Sequence, residues 1–286
     1  MAQFTNQAQL TYNNTVTNSN IAIGEVIGAL TASKTPVTDT YSQGDSITYI
    51  VNLVYTASSA LNGLTLTDDL GAYELNNNTI YPLTYTEGSV KYFVNGVLQP
   101  TPTVNSDTVL IISGINVPAD SNVAIVYEAT ANQYAPLTEG SAITNTATIS
   151  GCGITPIEAS ATITATNGPL LTITKAISPI PVSENGTVTY TFTIQNLGNT
   201  DAVATDNVTL TDVFNPILTN VSVSFNGVSW QEGVNYTYNE TSGEFETVAG
   251  QVTVGAGQYV QDPTTGEWVL TEATSTLVIT GNIGSI

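Results

Sequence analysis

The sequence predicts an all-β protein built from two tandem sandwiches, on three observations. Thr, Asn, Val, Ile, Gly and Tyr dominate the 286 residues, whereas the helix formers Glu, Lys and Arg are scarce. Apolar and polar residues alternate in short runs broken by Gly, Pro and Asn, the pattern of half-buried strands and tight turns. Finally, two long segments of the chain repeat one another.

The first element is the stretch "FTNQAQLTYNN" (Phe4–Asn14), where Phe4, Ala8, Leu10 and Tyr12 share one parity. It reads as a strand with one buried face and no partner next to it, followed by a linker over residues 14–27. The repeats come next. "LTASKTPVTDTYSQGDSITYIVNL" (30–53) matches "LTITKAISPIPVSENGTVTYTFTIQN" (171–196), with Lys34 over Lys175 and Tyr49 over Tyr190. "LNGLTLTDDL" (61–70) matches "TDNVTLTDVF" (205–214), with Asp68 over Asp212. "KYFVNGV" (91–97) matches "SVSFNGV" (222–228), each with the Asn-Gly of a two-residue hairpin. "INVPADSNVAIVYEA" matches "VTVGAG" plus "STLVITGNI" once residues 258–274 are set aside as an inserted hairpin, whose "DPTTGEW" has the Pro and Gly of a turn.

Each copy thus carries about seven short strands, as in immunoglobulin-like sandwiches. The expected organisation is an N-terminal strand and linker over 1–25, a first sandwich over 26–168, and a second over 169–286, joined by "TATNGPL" (164–170). The copies differ at their ends. The first closes with "ITNTATIS" (143–150), which has no counterpart after "STLVITGNIGSI". A sandwich without its closing strand exposes an apolar groove and an unpaired edge. "FTNQAQLT" (4–11) matches the closing strand of the first copy, with Phe4 on Ile143, Asn6 on Asn145, Ala8 on Ala147 and Leu10 on Ile149. The N-terminal strand therefore suits the second copy's groove, either folded back or inserted into a neighbouring molecule. The first sandwich stands between the two ends, which favours the neighbour, and head-to-tail insertion does not close on itself but builds a filament.

Parity also places polar residues inward. Lys34 aligns with Leu30 and Ala32, Asp68 with Leu64 and Leu66, and Asn145 with Ile143, Ala147 and Ile149. In the second copy Lys175 aligns with Leu171, Ile173 and Ile177, and Asp212 with Val208, Leu210 and Phe214. Burying three polar groups costs several kcal/mol, of order 2–7 per unpaired group, unless they satisfy one another. One reading is a buried Lys–Asp ion pair with an Asn hydrogen bond that fixes strand register. The other is a spontaneous isopeptide bond, with the acids Asp68 and Asp212 promoting attack of a neutral lysine amine on an Asn amide. Repeat one would then join Lys34 to Asn145, and repeat two Lys175 to Asn6 of the next subunit.

Composition excludes several functions. Three Lys/Arg and no His against 23 acids give a net charge of −20, unsuited to nucleic acid. Without His there is neither an imidazole base nor a His-ligated zinc site. With no clustered acid pair or nucleophile motif either, an enzyme is not expected beyond autocatalytic crosslinking. No cofactor or metal is expected, since the acids show no EF-hand spacing. Trp230, Tyr236, Tyr238 and Trp268 read as cross-strand packing, with a carbohydrate site as the other reading. Cys152, the lone cysteine, reads as a residue in an exposed turn, with pairing between subunits as the alternative. No run is long enough to span a membrane, and no signal peptide is visible, so either a leader was removed or export takes another route.

The run Lys…"LTLTD"…"FNG"…"ITNTATI" resembles the β-sandwich repeat of bacterial and archaeal surface proteins that is catalogued as a domain of unknown function. The Lys, Asp and Asn trios are similar to those of self-crosslinking Gram-positive pilins, and the N-terminal extension resembles the donor strands of chaperone–usher pili and Gram-positive spore appendages. These resemblances imply an extracellular location on a cell or spore surface, and a filament whose partners are identical subunits. The alternative they imply is a stalk or adhesin module that binds an unknown surface ligand.

Overall fold

The computed structural model describes residues 2–26 and 30–284. The expected linker's end at Ile27 and the last two residues of "STLVITGNIGSI" lie outside the described residues. The chain divides into two compact units, residues 1–136 with 142–164, and residues 137–141 with 165–286.

The N-terminal stretch departs from expectation. Phe4–Tyr12 is not one lone strand but parts of two, β1 (Ala2–Asn6) and β2 (Gln9–Tyr12). They pair antiparallel with β4 (Ala22–Val26) and β3 (Thr15–Asn18), so the expected linker is itself strand. The turn is the cause. Asn13 and Asn14 both take left-handed backbone angles, φ 44° and 58°, and Tyr12 faces Thr15 across them. Such a two-residue turn has the twist a hairpin needs, and Asn tolerates it. The ladder breaks at Gln7–Ala8, between the pairs Asn6–Ala22 and Gln9–Asn18. There Ser19 N–H donates to Ala8 O at 2.8 Å, and Ala8 N–H donates to Ser19 Oγ at 2.9 Å.

The first sandwich has two six-stranded sheets. Its strands are β5 (Leu30–Pro36), β6 (Thr40–Tyr41), β7 (Ser46–Tyr55), β8 (Leu61–Asp68), β9 (Tyr73–Leu75), β10 (Asn78–Ile80), β11 (Leu83–Tyr85), β12 (Lys91–Val94), β13 (Val97–Gln99), β14 (Thr103–Asn105), β15 (Leu110–Val117), β16 (Ser121–Ala131), β17 (Ala142–Ser150) and β18 (Ile157–Ala165). One sheet runs β13-β12-β16-β7-β5, with β11 also on β16, and the other β14-β15-β8-β17-β18-β6. The inner faces hold strictly alternating side chains: Ile47, Tyr49, Val51 and Leu53 of β7 are fully buried, as are Val123, Ile125 and Tyr127 of β16. That period of two is the alternation of the sequence. The β12–β13 hairpin turns at Asn95-Gly96, both at positive φ.

The second unit has smaller sheets. Its strands are β19 (Leu171–Ser178), β20 (Thr187–Asn196), β21 (Thr211–Val213), β22 (Leu218–Phe225), β23 (Val228–Trp230), β24 (Tyr236–Tyr238), β25 (Glu244–Thr247), β26 (Gln258–Gln261), β27 (Trp268–Thr271) and β28 (Ala273–Ile283). A five-stranded sheet, β19-β20-β28-β22-β23, faces one of only three strands, β21-β25-β24, and β26–β27 form a separate hairpin. The core between them is aromatic: Phe214 packs on Tyr190, Tyr238 and Phe245, and Tyr236 stacks on Phe245. Trp230 lies against Phe225, so these aromatics pack across strands.

The three-stranded sheet depends on one glycine. Gly243 sits at φ 77°, and a Cβ there would stand 2.4 Å from the Phe214 carbonyl oxygen. Gly243→Ala is expected to lower the second unit's stability by about 1–3 kcal/mol, read as a shift of its unfolding transition while the first unit's transition stays in place.

Candidate functional site: a buried polar cluster and its open counterpart

In the first sandwich the chain places Lys34, Asp68 and Asn145 in one buried cluster. Lys34 comes from β5, Asp68 from the end of β8, and Asn145 from β17, which lies beside β8 with Ala147 opposite Asp68. Lys34 Nζ donates to Asp68 Oδ2 at 2.6 Å, and both side chains are fully shielded from solvent. Two tyrosines complete the cluster: Tyr127, which the sequence did not point to, and Tyr49, which it marked only as a match to Tyr190. The Tyr127 hydroxyl donates to Asp68 Oδ2, and Asn145 Nδ2 donates to that hydroxyl at 3.4 Å. Tyr49 stacks on Tyr127 with centroids 5.6 Å apart, and Lys34 Nζ stands 4.8 Å from the Tyr49 ring centre. Leu70 N–H donates to the other Asp68 oxygen at 3.1 Å.

Burial dominates the electrostatics. Desolvation pushes the Lys34 amine below its ordinary range against the pull of Asp68, and pushes the Asp68 carboxyl up against the pull of Lys34, Tyr127 and Leu70. Desolvation likewise raises Tyr127 well above the usual phenol range, with Asp68 adding to it. The two directions favour a neutral amine beside a protonated carboxyl. Among the described residues Asn145 Oδ1 is buried without a hydrogen-bond partner, and the Tyr49 hydroxyl lies beside the Asn145 side chain. A buried carbonyl oxygen left bare costs free energy and marks the amide as an unusual group.

The second unit repeats the Lys and the Asp but not their surroundings. Lys175 Nζ donates to Asp212 Oδ2 and stands over Tyr190, Phe192 and Phe214, at 4.8, 5.3 and 5.2 Å from their ring centres. Here the side chains are 40% and 18% exposed, against zero for both in the first unit. Topology explains the difference. Asp68 lies on a strand with a neighbour on each side, whereas β21, carrying Asp212, ends its three-stranded sheet. Among the described residues nothing occupies the place that β17 holds beside β8. The Tyr127 position is also changed. Tyr127 faces Tyr49 across β16 and β7, whereas Tyr49's counterpart Tyr190 faces Ile279.

The result is an open groove along β21. A cavity of about 270 Å³ is lined by Leu171, Ile173, Ile194, Val208, Leu210 and Val252. A second, of about 710 Å³, spans all three strands of the small sheet, at residues 211–213, 237–239 and 244–246, rather than the free edge of β21. Ile173 is 53% exposed, on a strand whose counterpart Leu30–Lys34 has both ends buried. The remaining sequence-selected residues lie on the N-terminal ribbon: Phe4, Ala8, Leu10 and Tyr12 are exposed, and so is Asn6. Asn6 does not meet Lys175 in the single chain as described.

No protein-family model matches the sequence, and no curated protein matches it. The chain is similar in structure to the RrgB pilus backbone of Streptococcus pneumoniae, at 14% identity and a TM-score of 0.35, over 85% of this chain and 55% of that one. It thus spans about half the length of that pilus protein. It is also similar to the C-terminal domain of the Streptococcus agalactiae AgI/II polypeptide BspA, at 9% identity, a TM-score of 0.32, and 89% and 91% coverage. A third similarity is to the collagen-binding domain of a Staphylococcus aureus adhesin, at 12% identity, a TM-score of 0.29, and 50% and 99% coverage.

Proposed function

We propose that this chain is the subunit of an extracellular filament, assembled head to tail when the N-terminal segment of one copy enters the groove of the next copy's second unit. The observation that carries the reading is the pairing of an open edge with a matching spare element. The groove beside Asp212 occupies the position that β17 fills beside Asp68, and Phe4–Thr11 matches β17 residue for residue in parity. Carrying the β17–β8 register across sets Ala8 opposite Asp212 and Leu10 opposite Leu210, as Ala147 and Ile149 stand opposite Asp68 and Leu66. Asn6 then comes to the position that Asn145 holds beside Lys34.

Both sites would close as isopeptide bonds. The neutral Lys34 amine attacks Cγ of Asn145, the Nζ–Cγ bond forms, and the Cγ–Nδ2 bond breaks. Asp68 gives its proton to the amide group and takes one from the attacking nitrogen, so ammonia leaves and the carboxyl ends as it began. Lys175, Asp212 and Asn6 would do the same between subunits. Folding supplies the proximity that such a slow acyl transfer needs.

The reactive pair holds a single proton, as does the ion pair, so the reactive fraction is independent of pH wherever that one-proton state prevails. Burial disfavours net charge and widens this window, since the amine is pushed down and the carboxyl up. Bond formation on refolding, followed by intact mass, is therefore expected to keep its rate within about two-fold between about pH 5 and about pH 9. A rate rising about tenfold per unit, as for an ordinary lysine amine, would contradict the buried neutral pair.

Electron microscopy of the purified full chain tests the assembly. Filaments are expected, and a uniformly monomeric preparation at high concentration would contradict it.

A further inference from the structure

We propose that the element inserted into the neighbour is the whole N-terminal hairpin, residues 2–26, so that one copy supplies both strands the next copy's second unit lacks. This rests on the filament reading above and adds the second strand to it. In the first unit β8 is followed along the sheet by two long strands, β17 and then β18, with the two-residue β6 at the edge. Among the described residues, the three-stranded sheet of the second unit has a counterpart of neither long strand. The N-terminal segment is already folded as a two-stranded antiparallel ribbon of the same sense.

The pairing within the two hairpins agrees where it matters. Across β17 and β18, Asn145 faces Ala161, and across β1 and β4, Asn6 faces Ala22. The same two residue types therefore stand opposite one another at the position of the acceptor amide. One pair along, Ile143 faces Ile163, while Phe4 faces Gly24. There the Phe4 ring lies over Gly24, where a Cβ would collide with it, so one large side chain takes the place of two. Ala161 and Ile163 are buried against the first sandwich, so Ala22 and Gly24 would face the core of the second. In the single chain the ribbon leaves Phe4, Leu10 and Tyr12, on the parity of Asn6, more than half exposed. A two-stranded ribbon with so much bare apolar surface is marginal by itself and gains a third neighbour by docking on the free edge of β21.

A hairpin and a single strand are distinguished by locking the hairpin shut. Thr5 and Ile23 face one another on the side of the ribbon opposite Asn6 and Ala22. A Thr5→Cys/Ile23→Cys pair in a Cys152→Ser background, oxidised and confirmed by mass, ties β1 to β4 without touching the docking face. The oxidised protein is expected to form filaments, and the same boiling-resistant ladder on a denaturing gel, as its reduced form. Filaments from the reduced form only would overturn the hairpin. As a second variant, Ala22→Arg places a long cation on the docking face of the outer strand. It is expected to reduce filament yield more than tenfold while the first unit's ammonia loss stays in place. Ala22→Arg filaments at wild-type yield, with none from Leu10→Asp, would overturn the hairpin and leave single-strand donation standing. Filaments from both variants would overturn the donation itself.

Discussion

Leu10→Asp is expected to convert the protein from filament to monomer. At the register that β17 sets, Leu10 would enter the cavity lined by Leu171, Ile173, Val208 and Leu210. Burying a leucine contributes about 1.5–3 kcal/mol, and a carboxylate in its place adds the cost of an unpaired charge in an apolar site. The combined loss, roughly 4 kcal/mol or more, corresponds to about a thousandfold weaker contact per subunit. Leu10 is 64% exposed in the single chain, so its replacement leaves the fold alone. Size-exclusion chromatography with light scattering reads the outcome, with thermal unfolding as the control. Assembly of Leu10→Asp at wild-type concentration would mean that the N-terminal face does not fill the groove.

The second large effect is expected from Asp68→Ala. It removes the acid that shuttles protons and leaves Lys34 and Tyr127 facing a cavity where both had a partner. The intact mass should show the loss of one ammonia fewer than the parent protein. Breaking one side of a buried pair costs about 3–5 kcal/mol, equivalent to roughly 6–20 °C in the first unit's midpoint. Asn145→Asp separates the two contributions, because it keeps the acid and the packing but changes the leaving group from ammonia to water. A variant Asp68→Ala that still loses the full complement of ammonia would remove Asp68 from the chemistry.

Much of this was legible in the sequence because strands have a period of two. Lys34, Asp68 and Asn145 share parity with Leu, Ile and Ala neighbours, so their inward direction follows from alternation alone, and Asn95-Gly96 and Asn226-Gly227 announce their own hairpins. What was missed has physical causes. Asn13-Asn14 lacks glycine, so it reads as polar linker although Asn takes the left-handed angle nearly as well. That concealed β3 and β4, and with them the second strand of the ribbon. Tyr127 sits in "AIVYEA" among ordinary core residues, and nothing local says that its hydroxyl will meet a carboxyl from β8. The absence of that hydroxyl at Ile279 could be read only once the two registers were laid together. Lys175 shares parity with Leu171, Ile173 and Ile177 just as Lys34 does with its neighbours, yet its side chain is 40% exposed because β21 is the edge of its sheet among the described residues, which alternation does not convey.

The central claim, that one copy's N-terminus is joined to the next copy's second unit, is tested most directly by peptide mapping of boiled, assembled protein by tandem mass spectrometry. The account predicts a branched peptide in which Lys175 is bonded to Asn6 with the loss of one ammonia, and mixed heavy and light isotopes across that bond when labelled and unlabelled subunits are assembled together. Free Lys175 and intact Asn6 throughout the assembled material would contradict it.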